Sequence, residues 1–357
     1  MPAVTGREIS AAFGIITQNS WSVATSVTYG VYFQSDGGLR PQPVYIDDPS
    51  FGQMFTGPAD PGDFSAVDVT LPGQLYYDHF TYRLEALAMG SPAATTVVSS
   101  VAANSLVAYQ HVIDLAPNTN GRAITFCMDK VQLVEELRSA KVVGFNLSVG
   151  DGGIMNESFH LVGDYVHEAS AINTRSTVTT SAVFPALANR VARRHGTFRM
   201  NAQGIAVSLT AADALPTPTE ITLTYDRAQD TANVFGQQGI IEPADNAAPT
   251  VELAMTFARS NSTEINSVYR AAIAGTAFKG DLTFLGGYIN STTQRTYLFQ
   301  FPYLEPREPA MPVSGGENVR PTLRFVCKKA STAPTGMTGI TNPFRLTRIS
   351  INSLAAF

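Results

Sequence analysis

AKVVGFNLSVGDGGIMNESFHLVG, residues 140–163, alternates apolar and polar side chains on both sides of a glycine-rich turn. Val143, Phe145, Leu147 and Val149 share one face of the first arm, and Phe159 and Leu161 join them from the second. Gly144, Asn146, Ser148, Asn156, Ser158 and His160 occupy the other face. A period of two over two runs joined by Asp151-Gly152-Gly153 predicts a β-hairpin, because glycine tolerates the positive φ that tight turns need. The polar face of this hairpin is small and almost uncharged.

Outward from the hairpin, similar short runs recur. VTYGVYF (27–33), AVDVTL (66–71), AYQHVIDL (108–115), RAITFCM (122–128), EITLTYD (220–226), TVELAMTFA (250–258), RTYLFQF (295–301) and PTLRFVC (321–327) carry β-branched or aromatic residues between Gly, Pro and Asn punctuation. The predicted fold is therefore mainly β. Two segments have helical spacing instead. Residues 74–90 place Tyr76, Phe80, Leu84 and Leu87 on one stripe and stop at Gly90. Residues 261–275 do the same with Ile265, Val268, Tyr269 and Ala272, open with Asn261 three residues before Glu264, and stop at Gly275. Residues 129–140 fit either a third helix or an extended run.

The two helices suggest a duplication. Tyr82-Arg83 matches Tyr269-Arg270, each helix follows an alternating strand, and each is followed by further strands and a hairpin. The expectation is two similar β-sandwich or barrel-like domains, each with one flanking α-helix, at 1–170 and 197–357. The aperiodic stretch 171–196 is the connector, long enough to wrap a surface or reach a neighbouring subunit.

Composition narrows the function. Of 357 residues, 44% are hydrophobic but only 15% are charged, against about 25% in an average soluble protein. Two readings fit this composition equally: a surface largely covered by neighbours, or a secreted β-rich protein with a Ser/Thr-rich exterior. The net charge is −5 and no basic cluster exceeds Arg190, Arg193 and Arg194, which disfavours sequence-specific DNA binding. Cys127 and Cys327 sit in apolar runs and read as small buried hydrophobes. The start of the sequence lacks the basic-then-apolar pattern of a signal peptide, and no window reaches the length of a membrane span. Synthesis and assembly in the cytoplasm, without membrane insertion, are expected.

Recognisable catalytic motifs are missing. No GxSxG elbow, HExxH helix, P-loop or strand-linked GxGxxG occurs. His160 and His167 flank Asp164, but their spacing points them to opposite faces of a strand and no second ligand pair lies nearby. Glu135 and Glu136 are adjacent rather than opposed. Neither metal, cofactor nor enzymatic activity is expected. Tyr297, Phe299, Phe301 and Tyr303 alternate in a way that suits a core strand better than a stacking platform.

The order of features, from Asn19-Ser20-Trp21 through a helix ending in LEALAMG to ELRSAKVVGFNLSVGDGGIMNESFHLVGDY, resembles the major tail tube proteins of bacteriophages with long, non-contractile tails. ITLTYDR followed by IIEPADNAAPTVELAMTF resembles a second tube domain. The resemblance implies a virion tail protein, assembled in the host bacterial cytoplasm, whose tandem domains form homotrimeric rings with a pseudo-sixfold plan. It also implies stacking around a tape-measure protein, contact with tail terminator and distal tail proteins, and passage of double-stranded DNA through the lumen. A lumen-facing sheet must let a polyanion slide, which favours small neutral polar side chains and some acidic ones. Asn146, Ser148, Asn156 and Ser158, with Glu220, Thr222 and Thr224 from the second half, are the candidate lumen residues. A glycan-binding β-sandwich and a distal-tail or baseplate ring component are the competing readings.

Overall fold

The computed structural model describes residues 9–16, 21–39, 43–46, 60–91, 94–99, 106–149, 151–168, 170–184, 187–216, 218–233, 239–258, 263–310 and 320–353. Asn19, Ser20 and Asn261, used in the sequence reading, lie outside these residues. The first part of the chain contains β1 (Ser10–Ile16), β2 (Tyr29–Val31), β3 (Pro43–Ile46), β4 (Asp60–Phe64), β5 (Val67–Gln74), helix α1 (Thr81–Met89), β6 (Ala94–Ser99), β7 (Ala108–Asp114), β8 (Ala123–Asp129), β9 (Val134–Val149), β10 (Met155–Gly163) and β11 (Val166–Glu168). The second contains β12 (Gly196–Ala202), β13 (Glu220–Asp226), β14 (Gln229–Asp230), β15 (Ala244–Asp245), β16 (Thr250–Thr256), helix α2 (Thr263–Ile273), β17 (Phe278–Tyr288), β18 (Gln294–Ala310), β19 (Thr322–Cys327) and β20 (Arg345–Ser350). The fold is mainly β, as the alternating runs predict.

β9 and β10 form the expected hairpin. Phe159 faces Phe145, Ser158 faces Asn146 and Asn156 faces Ser148. Gly152 and Gly153 take φ values of 68° and 74°, which side chains with a Cβ rarely adopt. One detail differs from strict alternation. The register shifts between His160 and Leu161, so Leu161 faces Val142 and Val142 packs with it in the main core, while Val143, buried as well, lies outside that packed set. Val143 is the extra residue of a bulge, and its carbonyl accepts the Arg227 backbone N–H at 2.8 Å. The undecided stretch 129–140 is extended from Val134 onward, where β9 pairs with β8.

The same antiparallel order appears twice. β1 pairs with β8, β8 with β9, β9 with β10 and β11, and β10 with β5. Likewise β12 pairs with β17, β17 with β18, β18 with β19 and β20, and β19 with β16. A helix follows β5 in one repeat and β16 in the other. Cross-strand registers match the repeats residue by residue, bulges included: Val69–Leu161–Val142 in the first occupies the place of Leu253–Phe325–Pro306 in the second. By this register the place of Thr81 in the second repeat is Ile265, so α2 starts two residues earlier after its strand than α1. The Tyr-Arg match between the helices is therefore not the structural one.

Helix α1 starts later than its apolar spacing suggests. Tyr76 and Phe80 precede it and are buried, and all nine residues of α1, Leu84 and Leu87 included, are buried. Gly90 closes it in the left-handed conformation at φ 74°. Helix α2 buries Ile265, Val268 and Ala272 on one face, with Tyr269 partly buried against the same core.

The two repeats share one sheet. β13 pairs with β16 of its own repeat and with β9 of the first, while β20 pairs with both β18 and β7. Arg227, beyond β13, binds Asp245 at 2.8 Å and donates to the carbonyls of Ala116 and Pro117, and the Tyr225 hydroxyl donates to Ala88 at the end of α1. The described residues of 171–196 lie back along the first repeat. Val183 exchanges backbone hydrogen bonds with Thr28 and Gly30, and Val191 with Leu75 and Met155.

Candidate conduit face and its buried anchor

Seven consecutive antiparallel strands, β5-β10-β9-β13-β16-β19-β18, line their side chains into rows. One row reads Gln74, Asn156, Ser148, Thr222, Ala254, Arg324, Arg307. The next reads Pro72, Ser158, Asn146, Thr224, Glu252, Val326, Glu305. A third holds Thr70, His160, Gly144, Asp226 and Thr250, and Glu220 extends the face opposite Thr256. Alternate residues on these strands, Phe145, Leu147, Phe159, Leu223, Tyr225, Leu253 and Phe325, fill the core. The seven residues singled out from the two halves of the sequence thus fall on one face of one sheet. Asn146 Nδ2 donates to Thr224 Oγ1 at 2.8 Å across the β9–β13 seam.

This face is less neutral than the hairpin alone implies. His160 bridges Asp68 at 2.6 Å and Asp226 at 3.7 Å. Gly144 lies between them in the row, and a Cβ there would meet the Tyr225 carbonyl at 2.5 Å and Asp226 Oδ1 at 3.2 Å. Toward β18 the face becomes charged: Glu305 pairs with Arg307 at 2.7 Å and with Lys328, and the Lys328 hydrogen bond first, then Arg307, holds the Glu305 carboxyl below its ordinary range. Arg324 is exposed beside them. An open depression of about 380 Å³ lies over Asn146, Ser158, His160 and Asp226, and one of about 520 Å³ over Thr222, Thr224, Glu252 and Arg324. The aromatic stripe offers no platform, because Tyr297, Phe299 and Phe301 are fully buried.

The sequence profile of the phage tail tube protein family matches residues 9–345, across both repeats and the shared sheet. The chain belongs to the phage tail tube protein family. Among curated proteins no match is found. The family is structural rather than enzymatic, self-assembles into tubes and resides in the virion tail. No helix among the described residues of this tube protein is long and apolar enough to cross a membrane.

Behind the polar face, the tube protein carries a charged cluster in its interior. Glu157, one residue from Asn156 and Ser158, points inward between Met155 and Phe159 and is 2% exposed. It meets Glu85 of α1, itself 0% exposed. Arg348 of β20 donates to Glu85 at 3.3 Å and to the carbonyls of Tyr76, Tyr77 and His79 at 2.8, 3.0 and 3.4 Å. Its guanidinium lies 4.9 Å from the centroid of the Tyr297 ring. Burial first, and the Glu85 charge second, push the Glu157 carboxyl well above its ordinary range. Burial, reinforced by Arg348, lowers His79 to about 3 and His111 to about 4. Sequence reading missed this cluster. Its one signal was a glutamate at an apolar position of the hairpin.

Proposed function

We propose that this protein is the ring-forming subunit of a phage tail tube of the long, non-contractile type, with tube repeats at 1–170 and 197–357 joined by 171–196. Three copies close each ring, so that six repeats surround the lumen, and stacked rings conduct double-stranded DNA. Asn146, Ser148, Asn156, Ser158, Glu220, Thr222 and Thr224 line the channel. The observation that carries this reading is the single polar sheet face, contributed jointly by both repeats and continuous across the β9–β13 seam. Hydroxyl and amide side chains there offer a polyanion no fixed cationic partner. Contacts with tape-measure, terminator and distal tail proteins follow from the same assembly.

Electron microscopy of the purified protein across concentration, with mass determination of the smallest ring, tests the stoichiometry. Threefold mass with a sixfold outline is expected; a ring of six chains, or a monodisperse monomer at every concentration, overturns it. Virions carrying Asn146→Lys with Asn156→Lys are expected to deliver DNA poorly. Unchanged delivery from normally assembled tails sinks the lumen assignment.

A further inference from the structure

In the first repeat the two ends of the polar sheet carry opposite charge. At one end, where β5 finishes and β10 begins, the connector crosses the strand tips: Arg190 bridges to Tyr76 and Ala192 to Ile154. It sets Arg190, Arg193 and Arg194 there, all exposed. Their hydrogen bonds go to neutral groups. Arg190 donates to the Tyr76 hydroxyl at 3.2 Å, Arg193 to the Thr219 carbonyl at 2.9 Å and Arg194 to the His195 ring. None of the three pairs with an acid among the described residues.

The opposite end of the same strands is acidic. Asp68 of β5 and Asp226 of β13 flank His160 of β10 at 2.6 and 3.7 Å, and their side chains are 70% and 49% exposed. One imidazole cannot neutralise two carboxylates, so this end is negative whichever form His160 takes. The second repeat has an exposed cation at each tip instead, Arg320 before β19 and Lys329 after it. The polarity therefore belongs to the first repeat.

Strands that follow one another around a ring run along its channel, so their tips face the rings above and below. We propose that successive rings stack through this polarity, with Arg190, Arg193 and Arg194 of one copy against Asp68 and Asp226 of a copy in the next ring. This rests on the ring reading above and names the surface between rings. Like ends repel, so the stack runs in one direction, and an interface between unlike faces always leaves a face open for the next ring. The channel supplies a second reason for this occupant. Three guanidiniums left unpaired at its rim would hold the phosphate backbone of passing DNA. Covered by the carboxylates of the next ring, they do not.

Mixing purified rings tests the surface. R193E/R194E gives a ring that is acidic at both ends, and D68R/D226R one that is basic at both ends. Each alone is expected to form rings of wild-type mass and no tubes. An equimolar mixture is expected to form tubes in which the two variants alternate, because every junction then joins unlike ends. Wild-type rings that never stack, tubes of wild-type length from either variant alone, or a mixture without tubes overturn the proposal. Where charge reversal blocks ring formation, R193Q/R194Q decides. Its tubes are expected to be shorter than wild type at low salt and to respond less to about 1 M salt, where the screening length is about 3 Å; unchanged length and salt response overturn the proposal. A wild-type protein that forms no rings refutes the ring reading itself, a result distinct from rings that stack regardless of these charges.

Discussion

The two repeats share a strand order but not a job inside the fold. The first buries its helix on every side and anchors it with Glu85, Glu157 and Arg348, whereas the second leaves α2 amphipathic, with Ile273 63% exposed. β9 in the first is covered on both edges; the far end of β18 in the second has β19 on one edge and no strand among the described residues on the other. Of two units with one strand order, the first is an inner member that the rest of the chain encloses and the second an outer member that still presents surfaces. Arg348 sharpens the point, since a strand of the second repeat supplies the cation that holds the first repeat's helix.

The largest effect should therefore come from Arg348→Met. Removing one partner of a buried ion pair leaves Glu85 uncompensated, at about 3–5 kcal/mol. Urea titration of the unassembled protein should show a large fall in midpoint, and an unchanged midpoint would break the comparison. Next comes Leu87→Ala in α1, where a buried leucine lost from a fully enclosed helix costs about 2–5 kcal/mol, measurable in the same titration.

Glu157 tests the anchor through pH. Its folded pKa is raised, so the folded protein keeps a proton that the unfolded chain releases above about 4.3. Stability from this group is present at lower pH and declines as pH rises through the folded value, by at most about 1.4 kcal/mol per pH unit. Glu157→Gln removes that dependence. The variant should match wild type near pH 4.5 and exceed it increasingly toward pH 7 and above, read as a difference in Tm. His79 and His111 act on the other flank: their folded values are depressed, so both proteins lose stability as pH falls from about 6.5 toward about 4. A Tm difference that ignores pH would place Glu157 outside the cluster.

Much of this was readable in residues 140–163. Alternation gave the hairpin, the glycines its turn, and the polar face its members, because a period of two is local information. Val143 could not be sorted from Val142, since the bulge depends on what Leu161 meets across the ladder. The β9–β13 seam, which unites Asn146 with Thr224, joins residues far apart in sequence and has no local signature. Arg324 and Arg307 looked like ordinary surface charges until the register set them side by side. Glu157 was visible as an acid at an apolar position, but only the packing of α1 and β20 gives it Glu85 and Arg348.

Ile273→Ala is the smallest expected change and bears most directly on what the outer repeat is for. Its side chain points away from the core face of α2 that holds Ile265, Val268 and Ala272, so truncation should shift the urea midpoint of the unassembled protein by no more than about 0.5 kcal/mol. Leu87, at the corresponding end of α1, should be several times more sensitive. A comparable loss at both positions would mean that α2 is enclosed within a single chain, as α1 is, and the repeats would then be equivalent. A loss at Ile273 that appears only in assembled tubes would instead assign this face of α2 to a contact between subunits, where the second repeat keeps the surface that the first has buried.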